Sequence, residues 1–273
     1  MKKVKLMRRL SAAQVALGAA LLLYLWTADT ESEAHVCPDY PREDISAVIN
    51  RKNWTKEEYD TLFLQTGLSG QAVDALRSAG RQKELLDLQN RFFAEVETQC
   101  APNTVISWAE SMEEPGAGQK IATVEEGDIL ISFNCHVFGW RSGHAGIVTN
   151  AEKRQTLEAK VLGTDTEILS LDHWEEYPSF AVLRMKNVSR ERRKQIADYA
   201  AQNLTEVPYR LTAGLWRRGT KPINGTQCAH LVWYAYNRFG YDLDSDGGRI
   251  VTPRDLYESP LLEIIQIYGM DLP

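Results

Sequence analysis

The feature that most constrains this 273-residue chain is a change of hydrophobic period near Val124. Beyond it, apolar residues come in short runs with alternation: Gly127-Asp-Ile-Leu-Ile-Ser-Phe133, Gly143-His-Ala-Gly-Ile-Val-Thr149, Thr156 to Val161, Glu167-Ile-Leu-Ser-Leu171 and Phe180-Ala-Val-Leu-Arg-Met185. Runs of this length with period two are strands, and hairpin-length links, such as the Gly163 turn, make neighbouring strands antiparallel. Asn134 to Ser142 reads as a loop or hairpin end. Ser189 to Leu204 then returns to helical spacing, and so does the stretch from Asn224 to Gly240. Helices laid on one antiparallel sheet predict an α+β domain over residues 116–273.

Ahead of the sheet, residues 35–115 carry apolar residues at three- and four-residue steps, including Leu85, Leu88, Phe92 and Val96. Thr55, with Glu58 three residues on, has the spacing of a capping box. Gly67-Leu-Ser-Gly70 breaks the first helix, and helical spacing resumes over Gln71 to Leu76 and Gln82 to Thr98. The region is expected to be a helical accessory layer, because amphipathic helices in globular chains mostly serve to pack. Cys37 and Cys100 flank it. In an exported protein they are candidates for a disulfide, and two free thiols is the open alternative.

Residues 1–34 read as an export signal or an N-terminal membrane anchor. Lys2, Lys3, Lys5, Arg8 and Arg9 precede an uncharged, mostly apolar run from Leu10 to Trp26, and Ser32-Glu33-Ala34 offers a small-x-small cleavage site. The expected location is therefore extracytoplasmic, secreted or held at a membrane by this segment. No Leu-x-x-Cys pattern precedes Cys37, which argues against a lipoprotein. The basic start leaves a body more acidic than the net charge of −6 states. An acidic body excludes the cationic face that nucleic-acid binding needs. The chain has no internal repeat and no phosphate-binding glycine motif.

The helix after Asn224-Gly225 is where chemistry concentrates. Thr226 is the expected N-cap, which places Cys228 in the first turn. There the helix dipole and unpaired N–H groups favour a thiolate. A thiol nucleophile needs a base, and the base needs an orienting group. Five histidines are available. His35 lies near the export signal, and His136 lies in a loop beside Cys135. His173 sits in the polar turn Asp172-His-Trp-Glu-Glu and reads as a surface residue. His230 follows Cys228 by two residues and so faces another side of the helix. His144 heads a strand among Gly143, Ala145 and Gly146, with room for another element to approach. Glu158, on the next strand, is placed to accept its second N–H.

Taken in order, Gly127-Asp-Ile-Leu-Ile, Gly143-His-Ala-Gly-Ile-Val, Leu157-Glu-Ala, Val207-Pro-Tyr-Arg and Gln227-Cys-Ala-His-Leu-Val-Trp-Tyr-Ala-Tyr resemble the circularly permuted branch of the NlpC/P60 papain-like superfamily, the YiiX/YycO-like proteins. Gly240-Tyr-Asp-Leu-Asp and Val251-Thr-Pro-Arg-Asp-Leu-Tyr-Glu-Ser259 fit the same group. The resemblance spans residues 124–262, roughly half the chain, and leaves the helical layer outside it. It implies a papain-like core with an antiparallel sheet packed on the Cys helix. It implies Cys228 as nucleophile, His144 as base, Glu158 as orienting residue and Tyr209 in contact with substrate. Trp140 and Trp216 are further candidates to line a groove. No cofactor and no metal are expected.

The expected activity is that of an exported cysteine hydrolase cleaving amide bonds, with a cell-wall-derived peptide as substrate. A lipid-directed thiol hydrolase or acyltransferase is the alternative, because Cys228-Ala-His230 faintly echoes lecithin:retinol acyltransferase-like proteins. A wall- or ligand-binding module is the non-catalytic alternative. Two other patterns carry less. Asp242-Leu-Asp-Ser-Asp-Gly247 matches half of a calcium loop, but its twelfth position is Pro253 rather than glutamate. Cys135, His136, His144, Cys228 and His230 lack zinc-ligand spacing.

Overall fold

The computed structural model describes residues 14–24, 33–214 and 223–273. The two-period reading becomes two packed layers around one sheet. That sheet has six strands in the order β10-β9-β3-β6-β7-β8, all antiparallel: β3 (Ile129–Ser132), β6 (His144–Asn150), β7 (Gln155–Glu158), β8 (Glu167–Ser170), β9 (Phe180–Met185) and β10 (Leu262–Tyr268). Strands buried on both faces read as continuous apolar runs. Here Ile129 and Ile131 join one core while Leu130 joins the other, as pleating requires.

On the first face lie α6 (Arg190–Asn203) and α7 (Cys228–Asn237). Every residue of α7 from Cys228 to Tyr236 is buried, as a helix apolar on all sides must be. Truncating a core residue there, such as Leu231→Ala, would cost about 2–5 kcal/mol. On the second face lie α2 (Ser46–Ile49), α3 (Lys56–Thr66), α4 (Gly70–Ser78) and α5 (Glu84–Phe92). Thr55 and Glu58 form the expected reciprocal capping box at the start of α3. A short helix, α8 (Pro253–Tyr257), follows α7 and is capped by Thr252 and Asp255.

One expectation needs correction, and two readings left open between alternatives are narrowed. The helical layer does not run to Thr98 and beyond. It ends at Phe92, and β1 (Thr98–Thr104) and β2 (Ser107–Met112) form a hairpin instead. Asn134 to Ser142 is likewise not plain loop. It holds β4 (Cys135–Val137) and β5 (Trp140–Arg141), which join the hairpin in a second sheet, order β1-β2-β4-β5. Cys37 and Cys100 are not joined: both are free thiols. Cys37 lies against the Ala94 carbonyl, and Cys100 sits on exposed β1, so they do not bracket a helical unit.

Residues 1–34, expected from sequence to direct export or anchoring, fall mostly outside the described residues. Residues 14–24 within it form a helix, α1, with Val15, Leu17, Leu21, Leu22 and Leu23 exposed. Among the described residues no helix is long and apolar enough to cross a membrane.

Candidate active site

The first turn of α7 meets the head of β6. Gln227, not Thr226, is the N-cap: its backbone is extended and its side chain accepts from the Ala229 N–H at 3.0 Å. The Gln227 amide also donates to the Val251 carbonyl at 2.7 Å, which ties the helix start to the segment before α8. Thr226 turns inward and pairs with His230 Nδ1 at 3.0 Å. Cys228 therefore stands at the first helical position, buried, at the floor of a cavity of about 410 Å³.

His144 lies beside it. Its Nε2 contacts Glu158 Oε2 at 2.7 Å, which leaves Nδ1 as the ring nitrogen open toward Cys228, whose Sγ lies 3.6 Å from Gln227 Oε1. Gly143, with φ +75°, makes the turn into β6, and any side chain there would strike the Ser132 carbonyl. Gly146 pairs with Glu158 across β6 and β7. A methyl on Gly146 would meet Glu158 Cγ at 3.0 Å and Trp174 Cζ2 at 3.2 Å. The missing side chain at Gly146 is the space in which the carboxylate and the indole lie.

Glu158 is fully buried and held from four sides. Besides His144, Thr156 Oγ1 donates to Oε1 at 2.5 Å and Trp174 Nε1 donates to the same oxygen at 2.9 Å. His173 Nε2 approaches Oε2 at 3.3 Å. His173 is thus not a bystander of the surface. The 3₁₀ turn Leu171–Glu176 carries it and Trp174 back over the sheet, and Trp174 stacks on the His144 ring at 5.2 Å between centroids. Sequence reasoning missed His173 and Trp174 because a polar turn conceals which side chains fold inward. The pairing of a tryptophan with a histidine in that turn was the available signal.

The electrostatics follow from this packing. Burial would lower the His144 imidazole, but hydrogen bonds to Cys228 and Glu158 and their charges outweigh it and push it up to about 9. Burial opposes the Glu158 charge as well. The His144 and His173 hydrogen bonds and positive charge win there too, holding the carboxyl well below the usual carboxylate range. Cys135 faces the same cavity, and burial, then the charge of Cys228, pushes its thiol up to about 12. His230 is lowered to about 4 by burial alone. It is a neutral core residue.

Tyr209 lines the cavity, and burial, followed by the charges of Cys228 and Cys135, raises its phenol. A phenol so raised remains a hydrogen-bond donor. Trp140 does not line the cavity. It is partly exposed on β5, edge-on to Tyr24 at 5.3 Å. Trp216 lies outside the described residues. The sequence-stretch that half-matched a calcium loop places Asp244 and Asp246 near Asp255, their ligand atoms within 4.8 Å of one another. Asp255 is already engaged in capping α8.

The molecule is thus an α+β protein with a buried Cys–His–Glu cluster at the base of an open cavity. No protein-family model matches the chain, and no curated protein matches it. Among solved structures it is similar to that of yiiX from Escherichia coli O157:H7, described as a metalloprotein. The two share 16% identity with a TM-score of 0.42, over 55% of this chain and 99% of that one.

Proposed function

We propose that the chain is a thiol hydrolase in which Cys228 attacks a carbonyl carbon. His144 Nδ1 takes the thiol proton, and Glu158 holds Nε2–H and so fixes the tautomer. The observation that carries this reading is that Cys228 and His144 line one cavity while Glu158, fully buried, holds the His144 ring through Nε2 at 2.7 Å. The imidazolium formed has a buried carboxylate beside it, which stabilises the ion pair as the thiolate attacks.

The tetrahedral oxyanion needs donors. The Cys228 N–H is one, since it has no acceptor among the described residues, whereas the Ala229 N–H is taken by the Gln227 side chain. The Tyr209 hydroxyl is the second. One such donor is worth about 10²–10³ in rate. His144 then returns the proton to the leaving group. Water, deprotonated by the same imidazole, attacks the thioester carbonyl and releases the acid and the Cys228 thiol.

The substrate reading shifts with the lining. Ile106, Val137, Val161, Leu162, Ile250 and Val251 make the walls mostly apolar. Apolar walls of this kind suit an acyl chain or an apolar amide, while Lys160 and Arg254 in the same lining suit a peptide with acidic groups. The acyl substrate is one arm of the test and the wall peptide the other. The test is turnover of acyl esters, thioesters and amides beside peptidoglycan fragments, with Cys228→Ala as control. Hydrolysis of acyl substrates that depends on Cys228 is expected. Equal turnover by Cys228→Ala on every substrate refutes the reading.

A further inference from the structure

The mouth of the cavity has a composition unlike the rest of the surface. Among the described residues outside α1, ten large apolar side chains are exposed. Six of them gather here: Val105, Phe138, Trp140, Leu162, Leu211 and Ile250. Leu162, Leu211 and Ile250 are themselves cavity walls. Val105 sits between the wall residues Thr104 and Ile106 and is fully exposed. Phe138 follows the wall residue Val137 and donates its N–H to the Ile106 carbonyl at 2.8 Å, and Trp140 pairs with Val137 across β4 and β5. Monomeric soluble proteins rarely gather exposed apolar side chains this way without a partner.

Two further observations say what the partner is. The first is charge. In an acidic chain, the cavity lining contains Arg141, Lys160 and Arg254 and neither aspartate nor glutamate. Arg141 is held by Glu110 at 2.6 Å, so Lys160 and the exposed Arg254, which has a surface pair with Glu258, are the cations open to a partner. Exposed Arg249 adjoins Ile250. The second is α1. Its exposed leucines and valine belong to the apolar run, and it touches the rim through Tyr24 and Trp140. A second copy of the chain meeting this rim would set cations against cations. An anionic bilayer matches both the apolar residues and the charge.

We propose that the rim is a membrane-docking face, which seats the cavity mouth on an anionic bilayer beside the apolar N-terminal run. Val105 and Phe138 enter the headgroup–acyl boundary, and Lys160, Arg249 and Arg254 sit at the phosphates. The docking does not depend on the hydrolase reading, since neither the rim apolars nor its cations belong to the Cys228–His144–Glu158 cluster.

The test is hydrogen–deuterium exchange of the full chain in bilayer discs of phosphatidylcholine alone and of phosphatidylcholine with phosphatidylglycerol, against detergent micelles. Residues 103–107, 136–140 and 249–251 are expected to exchange more slowly only on the anionic discs, and the surfaces around Leu64 and Leu272 equally in all three. Val105→Asp with Phe138→Asp should abolish that protection. Protection of residues 14–24 and hydrolysis of a small soluble thioester should remain. Rim exchange identical in all three environments, with residues 14–24 protected, overturns the proposal, because the cavity then points away from the bilayer. Rim protection that follows protein concentration rather than lipid charge overturns it too, and assigns the face to a second copy of the chain. Loss of thioester hydrolysis in Cys228→Ala with rim protection unchanged separates this proposal from the catalytic one.

Discussion

Glu158→Gln keeps the shape of the site and changes one proton. The wild-type carboxylate accepts Thr156 Oγ1 and Trp174 Nε1 at Oε1, and His144 Nε2 at Oε2. An indole N–H can only donate, so the glutamine oxygen must stay at the Oε1 position. Its NH₂ group then faces His144 Nε2, which must become an acceptor. The single imidazole proton moves to Nδ1, the nitrogen that faces Cys228, and the base is in the wrong tautomer. The charge is lost as well. Returning His144 from about 9 to its ordinary 6.5 removes about 3 kcal/mol of imidazolium stabilisation, of which Cys228 supplies a part. A charge-assisted hydrogen bond to a buried carboxylate is itself worth about 1.5–3 kcal/mol. With the inverted tautomer added, kcat/KM on an acyl thioester should fall about 10³–10⁴-fold. The assay is steady-state hydrolysis together with the rate of Cys228 alkylation by iodoacetamide, on protein whose near-ultraviolet circular dichroism is unchanged. A folded variant that loses less than about tenfold, or about 1.4 kcal/mol, refutes the assignment of Glu158 to orienting the base.

Further outcomes follow from the same contacts. His144 is raised in the folded protein, so its contribution to stability is complete below pH 6.5 and fades as pH rises through about 9; thermal melts should show that decline in wild type and lose much of it in Glu158→Gln. Glu158 is depressed, so its contribution is present above the ordinary carboxylate range and is lost as pH falls below it, and acid melts should be flatter in the glutamine variant. Gly146→Ala should displace two buried neighbours, Glu158 and Trp174, costing about 1–3 kcal/mol in a denaturant titration together with most of the activity. Tyr209→Phe should lower kcat by about 10²–10³ with the melting temperature retained, while an unchanged kcat would remove Tyr209 from the oxyanion site. His230→Asn should leave kcat/KM unaltered, because that ring turns to Thr226 and away from Cys228.

What the sequence disclosed was set by local patterns. The α+β class, the antiparallel strands β3, β6, β7 and β9 and the helices α6 and α7 were legible because each buries an apolar set, and the exposed β8 was legible from its alternation after the Gly163 turn. The juxtaposition of Cys228, His144 and Glu158 was legible from residue types in order, and Glu158 from its place on the adjacent strand. The second sheet was not. β1 is almost wholly exposed, and β4 and β5 span three residues and two, so their pairing with β2 comes from long-range backbone hydrogen bonds that leave no apolar period. β10 was hidden for a related reason: it enters the sheet beside β9 after a long excursion through α6, α7 and α8. The cap was misread because a threonine is the commoner choice, while here the glutamine side chain bends back to its own helix and the threonine serves His230.

The cluster also bears on the choice between an enzyme and a binding module that kept the fold. A buried carboxylate and a buried imidazole are costly to desolvate, and replacing such a pair with apolar residues of similar volume is often neutral or stabilising. Stability alone therefore gives no reason to keep Glu158 and His144 fully ionisable in a core that otherwise holds Ile147, Leu157 and Trp174. A binding module could use the cavity walls without them. The proposed function gives the whole set a use: a thiol in the first turn, an imidazole that shares its cavity, and an anion on that ring's Nε2. Gly146 lets Glu158 and Trp174 pack directly on the β6 backbone, the close approach that a glycine inside a strand often marks. Removing the chemistry while leaving Gly146 in place, as in Glu158→Leu with His144→Leu, Thr156→Val and Trp174→Phe so that no buried donor loses its acceptor, should therefore give a protein about as stable as the wild type in denaturant titration and devoid of thioester hydrolysis. A variant of this kind much less stable than the wild type would mean that the ionisable cluster holds the fold together, and the energetic case for catalysis would fail.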